Sequence, residues 1–288
     1  MELSYRGSVN SWECDENNHL NVRFCEQKLW QTLSAGLIGS GLLRVEEVDS
    51  LMSRTIRQHS RFQNESRLAA PLSGYFGFLQ HDEFNVISEL RNDATGEVAC
   101  SALYQIAGLS LGGSLALESS QSLTHALPRG IAEDLSFAQL SMPQALAKQF
   151  RPIGQGIIQS DECSGSGLLM LHNYMGRISD SMPHLWSGFA DNADPDPDEG
   201  GAVLEFRKRF YNPLTVSDRY VVVSGMIDVA PKVQQFGHLM FNVETEQCCL
   251  SAHAVAVRMD LIARKAKTLS IEDQTRLSAL CIQSFECI

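Results

Sequence analysis

The 288-residue chain has no run approaching the roughly 20 consecutive apolar residues that span a bilayer. Its opening, MELSYRGSVNSWE, has no apolar stretch of secretory-leader length. The protein is therefore expected to be cytoplasmic and off the membrane. Basic residues are scarce, 23 Lys and Arg against 34 Asp and Glu, for a formal net charge of −11. That balance argues against nucleic acid as a partner and against an anionic membrane surface, since both require a clustered basic face. The eight cysteines (14, 25, 100, 163, 248, 249, 281 and 287) include no C-x-x-C pair and no metal-site spacing. They are expected to be reduced and mostly buried, with Cys248 and Cys249 on opposite faces of one strand. Cys14, Asp15 and His19 have metal-binding side chains but form an incomplete ligand set, so no metal or redox cofactor is expected.

What the chain does contain is a repeat. NDATGEVACSA at 92–102 reads against NVETEQCCLSA at 242–252, matching Asn92 with Asn242, Thr95 with Thr245, Ser101 with Ser251 and Ala102 with Ala252 at an offset of 150. Asn64 answers Asn212 at an offset of 148. Around these matches, β-branched and aromatic runs broken by turn residues predict strands at 55–63, 73–80, 83–90 and 97–108, and again at 202–211, 218–230, 236–243 and 248–261. A helical pattern precedes each set, at 21–39 and 168–186. Each half is strand, helix, four strands, and a long helix buries its apolar face in the hollow of a curved antiparallel sheet, an α+β solution. The expected organisation is an N-terminal unit at 1–108, a linker at 109–153 with a helix at 142–150, a C-terminal unit at 154–263 and a helical tail at 264–288. The acidic stretch at 191–200 reads as a solvated loop.

The densest chemistry lies just before the first helix, in SWECDENNHLN at 11–21. Asp15, Asn17 and Asn18 are all good helix caps, and His19 alone reads as structural. In sequence order the chain resembles a fused double hotdog protein, and this segment resembles the Asp-x-Asp-x-x-Gly-His-x-Asn pattern of the 4-hydroxybenzoyl-CoA thioesterase branch of acyl-CoA thioesterases. His19 and Asn21 match, Glu13 stands for the first Asp, and Asn18 stands for the Gly. The resemblance implies a tandem hotdog fold, hydrolysis of an acyl-CoA or acyl carrier protein thioester, and Asp15 as the catalytic carboxylate, either nucleophile or general base. It implies substrate contacts from Trp12 (as a wall), Asn18, His19 and Asn21, and allows a homodimer of double hotdogs.

Carrying the offset of 148 into the second half sets Asp161 against Glu13, Cys163 against Asp15, Gly167 against His19 and Leu169 against Asn21. On that reading the second unit lacks the acid, unless a two-residue shift brings Asp161 into its place. Arg177 and Asp180 read as a pair on one helix face. Glu26 is a reserve for the catalytic acid beside its plainer reading as an exposed helix carboxylate. Rival readings are a non-catalytic acyl-CoA-binding module, a hotdog enoyl-CoA hydratase or dehydratase, and a serine hydrolase using Ser110 in the GLSLG match at 108–112.

Overall fold

The computed structural model describes residues 1–109, 117–118, 123–131, 133–134, 140–188 and 198–282. Ser110 and most of the acidic stretch at 191–200 lie outside them. The chain divides into two compact units, residues 1–129 with 159–179, and residues 130–158 with 180–288.

The first unit contains β1 (Glu2–Ser8), α1 (Val22–Gly39), the short α2 (Leu51–Arg54), β2 (Thr55–Phe62), β3 (Pro71–Leu79), β4 (Val86–Asn92), β5 (Val98–Ile106) and β6 (Leu117–Glu118). Its antiparallel sheet runs β1-β3-β4-β5-β2, with β6 parallel to β3. In α1 the spacing of Leu29, Leu33 and Leu37 makes a fully buried stripe. Small residues let this helix lie close to the sheet. A Cβ on Gly74 would fall 2.2 Å from Thr32 Oγ1, and one on Gly36 would fall 2.2 Å from the Phe76 ring.

The remaining elements are α3 (Met142–Ala147), β7 (Arg151–Ile157), α4 (Leu171–Ser187), β8 (Glu199–Phe210), β9 (Arg219–Val229), β10 (Gln234–Asn242), β11 (Cys248–Asp260), β12 (Lys265–Ala266) and α5 (Ile271–Ser278). The second unit's sheet runs β8-β11-β10-β9-β7, again antiparallel, with β12 on β11. The end of α4 covers this sheet, with Trp186 edge-on to Phe236 at 5.2 Å. Among the described residues, no helix is long and apolar enough to cross a membrane.

The repeated sequence at 92–102 and 242–252 is turn chemistry used twice. Asn92 and Asn242 each accept, through Oδ1, the N–H two residues on (3.0 and 2.8 Å), and each closes its hairpin with its own N–H to Glu97 or Gln247. Gly96 and Glu246 occupy the left-handed position of the two turns, at φ 75° and 56°. Asn64 and Asn212 also play one role, each donating Nδ2 to a carbonyl at the start of the following hairpin's return strand, Val98 O and Cys248 O.

Between the halves, residues 123–127 pack on the first sheet: Leu123 and Ala126 join Leu79, Phe84, Ile87 and Leu103 in one buried cluster. They also cover Glu89, a fully buried carboxylate held by Arg91 Nε at 2.6 Å and by His125. In the second unit Glu205 accepts the N–H groups of Gly130 and Ile131 at 2.8 and 3.2 Å.

Candidate active site

The segment before α1 is a tight, fully specified turn. A short 3-10 turn at Ser11–Glu13 is closed by Glu13 Oε2, which accepts from Asn10 N at 2.8 Å and Asn10 Nδ2 at 3.1 Å. The other carboxylate oxygen of Glu13 meets Lys28 Nζ at 2.8 Å, and both residues are buried. Glu13 therefore frames the site and is committed to an ion pair.

Asp15 follows. Its Oδ1 accepts two backbone N–H groups, Asn17 N at 2.9 Å and His19 N at 3.0 Å. The backbone closes the same loop through Asp15 N to His19 O at 2.8 Å and Asn18 N to Asp15 O at 3.0 Å. Asn18 sits at φ 59°, the left-handed conformation that Asn tolerates best after Gly, which is why Asn can hold the place of the pattern's Gly. Asn21 caps α1, accepting Arg23 N on Oδ1 at 2.9 Å. A half-buried carboxylate is thus held in the turn that leads into an 18-residue helix.

His19 is buried, and its Nε2 lies 3.5 Å from Glu65 Oε2. Glu65 comes from the loop after β2, which packs across the turn: Leu20 N donates to Ser66 O at 2.8 Å and His19 bridges Arg67. The Ser66 hydroxyl is buried with no hydrogen-bond partner. Sequence reasoning missed Glu65 and Ser66, because they lie more than 40 residues along the chain from His19 and carry no local signal of their own. Trp12, expected as a wall, stands 73% exposed on the 3-10 turn. Burial first, then the carboxylates of Asp15 and Glu13, pushes the Cys14 thiol up, away from the thiolate form.

Several expectations need correction. Glu26 is not an exposed helix acid: it is 1% exposed, turned inward from α1, and accepts from Ser60 Oγ at 3.0 Å, which in turn accepts from Gln58 Nε2 at 3.1 Å. Arg177 pairs with Glu162 rather than with Asp180. The second copy of the turn aligns at an offset of 149, not 148. Cys163 bridges Leu169 as Cys14 bridges Leu20, and Ser164 N donates to Leu168 O at 2.8 Å as Asp15 N does to His19 O. Gln159 N donates to Glu162 Oε2 at 2.9 Å as Asn10 N does to Glu13, and Glu162–Arg177 repeats Glu13–Lys28. Glu162 therefore answers Glu13, Ser164 answers Asp15, Gly167 (φ 79°) answers Asn18, Leu168 answers His19 and Met170 answers Asn21. Asp161, which answers exposed Trp12, does not take the acid's place.

No family model and no curated protein matches the chain. Its fold is similar to that of solved thioesterases. A protein designated an oleoyl thioesterase, from Lactobacillus plantarum, matches at 10% identity and TM-score 0.59, over 89% of this chain and 96% of its own. The 12:0-ACP thioesterase from Umbellularia californica matches at 9% identity and TM-score 0.55, over 87% and 95%. An acyl-ACP thioesterase from Bacteroides thetaiotaomicron matches at 9% identity and TM-score 0.56, over 88% and 96%. At these identities the likeness is one of fold: the chain shares, along nearly its whole length, the α+β architecture of hotdog-type thioesterases.

Proposed function

We propose that the protein is a cytoplasmic thioester hydrolase, a tandem hotdog that cleaves an acyl-CoA or acyl carrier protein thioester into a carboxylic acid and the free carrier thiol. The observation that carries this reading is the turn ahead of α1 that fixes the Asp15 carboxylate on the N–H groups of Asn17 and His19, with a His19–Glu65 pair in the same turn, in a fold shared with thioesterases. Asp15 Oδ1 is committed to two backbone N–H groups, which aims the carboxylate and leaves the second oxygen to work. That oxygen either adds to the thioester carbonyl and expels the carrier thiolate as the C–S bond breaks, giving a mixed anhydride that water then opens, or takes a proton from a water that attacks the carbonyl and expels the same thiolate. In both routes negative charge grows on the carbonyl oxygen, and the positive end of α1 stabilises it. His19, steadied by Glu65, is suited to orient water or the departing thiol. Asn18 and Asn21 shape the turn and the helix start, and the exposure of Trp12 supports a contact with the carrier outside the turn rather than a wall within it. Hydrolysis of this kind needs water and no metal or redox cofactor.

The test is free-thiol release from short, long and aromatic acyl-CoAs by wild type and Asp15→Asn. Turnover by wild type that falls about a hundredfold or more in the folded variant is the loss of a group worth about 3 kcal/mol in the transition state. Equal rates remove Asp15 from the mechanism. Binding of acyl-CoA without turnover by wild type replaces hydrolysis with the binding-module reading.

A further inference from the structure

The second turn repeats the backbone hydrogen bonds of the first, yet Ser164 stands where Asp15 should be, so the two N–H groups that donate to the Asp15 carboxylate in the first turn have counterparts without an acid of their own turn. In the first turn these are Asn17 N and His19 N, which donate to Asp15 Oδ1 at 2.9 and 3.0 Å. The counterpart of Asn17 N, Ser166 N, is not left over: it donates to Asp49 Oδ2 at 2.7 Å. Asp49 comes from the 3-10 segment Val45–Ser50 that follows α1, and both partners lie in the first compact unit. Gly165 makes room, since a Cβ there would sit 3.0 Å from Asp49 Oδ2, whereas the first turn carries Glu16 at the matching place.

We infer that Asp49 is the acid of the second turn, supplied from elsewhere in the chain, and that it acts as a positioning residue for substrate binding rather than as a second catalytic group. The absence of any counterpart to His19 and Asn21, replaced by Leu168 and Met170, argues against catalysis at this turn. A chain of contacts ties the turn to the site instead. Asn173, in the first turn of α4, donates Nδ2 to Glu162 O at 2.7 Å and accepts Arg23 Nη2 on Oδ1 at 2.9 Å. Arg23 belongs to the first turn of α1, is held by the Asn21 cap, and lies against Gly176, where a Cβ would fall 2.7 Å from its Cδ. Releasing Asp49 loosens the Ser164–Gly167 loop, and through Glu162, Asn173 and Arg23 the start of the helix that bears the Asp15 turn.

This inference rests on the thioesterase reading for its kinetic arm only. Four proteins are compared: wild type, Asp49→Ala, Ser164→Asp and the double variant, which moves the acid into the turn's own sequence. Exchange of the Ser166 amide is expected to speed up about tenfold in Asp49→Ala and to return to the wild-type rate in the double variant. With octanoyl-CoA and benzoyl-CoA, KM is expected to rise about fivefold in Asp49→Ala with kcat held, and to recover in the double variant. Ser164→Asp alone, with two carboxylates at one N–H, is expected to melt below wild type. Wild-type exchange in Asp49→Ala, or a double variant that recovers neither readout, overturns the inference. A fall in kcat as deep as that of Asp15→Asn, at unchanged KM, overturns the positioning role in favour of a catalytic one. If wild type hydrolyses no short, long or aromatic thioester of coenzyme A or acyl carrier protein, the thioesterase reading fails and the exchange arm alone decides whether Asp49 serves the turn.

Discussion

Replacing Lys28 by methionine keeps the length of the side chain and removes its charge. The ammonium sits 2.8 Å from Glu13 Oε1, and the two side chains are 5% and 8% exposed. It also lies 3.4 Å from the Tyr5 hydroxyl and 5.9 Å from the centre of that ring. In Lys28→Met the Glu13 carboxylate keeps only the two donors of Asn10, both on Oε2, and Oε1 is left charged in a buried place. Removing one member of such a pair costs about 3–5 kcal/mol, most of it the unpaired charge that remains. At about 2 °C per kcal/mol for a chain of this size, the first unit is expected to melt roughly 6–10 °C lower, followed by circular dichroism and by urea unfolding. Glu13→Gln in the same background removes the stranded charge, so the double variant is expected to recover about half of the loss, a coupling that neither single change predicts. Activity follows stability here, because Glu13 O also accepts Asn21 N at 2.9 Å and so holds the helix cap. A Lys28→Met protein within about 1 kcal/mol of wild type would refute the reasoning, since the carboxylate would then have found water or a proton without cost.

Asn18 at φ 59° predicts opposite outcomes for two small substitutions: Asn18→Ala is expected to lose about 1–2 kcal/mol in denaturant melts, and Asn18→Gly to stay within about 0.5 kcal/mol of wild type. In the second unit, burial pushes His238 down to about 3 and His253 down to about 4, so both are neutral when folded. Their unfolded forms take up a proton below about pH 6.5, so stability is full above that pH and declines as pH falls toward 4, by about 2 kcal/mol per histidine at pH 5. His238→Gln, able to keep a bond to Ser224 Oγ (now 2.7 Å from His238 Nδ1), is expected to flatten the pH dependence of urea melts between pH 7 and 5; an unchanged slope would exclude His238 as a source.

Local chemistry carries a large part of the architecture. The Asn-led hairpins, the long helix at 21–39 and the alternating strands are each determined within a few residues, and the expected helix differs from α1 by one residue at its start. The turn that holds Asp15 is legible for the same reason, since the groups that fix the Asp15 carboxylate, Asn17 N and His19 N, lie within four residues of it. Long-range geometry is not. Glu65 reaches His19 only because the loop after β2 folds back over the turn, and Glu26 turns inward because Ser60 and Gln58 on β2 offer it buried partners. The misplaced second copy has a simpler cause. The two halves differ in loop length, so the offset is 148 at Asn64, 149 in the turn and 150 at the hairpins, and an offset taken from a strand fails by one residue in a turn.

That 149-residue correspondence also works as an internal control on which residues frame the turn in both copies and which differ between them. Glu13 and Glu162, Cys14 and Cys163, Leu20 and Leu169, and the left-handed Asn18 and Gly167 have the same partners in both copies, so their roles are those of folding. Met170 O and Asn21 O each accept the N–H three residues on at 2.9 Å, so even the helix start survives without the Asn side chain. What the second copy gives up is the carboxylate at 15, the imidazole at 19 and the carboxamide at 21, and it gives them up together. Had Asp15 served only to shape its turn, losing it would require nothing of the imidazole of His19, because Asp49 takes the N–H that matches Asn17 N from outside the turn. Loss of the carboxylate and the imidazole together, around an intact frame, is the pattern that the thioesterase proposal predicts for groups that meet a substrate, whereas the third, Asn21, also caps α1.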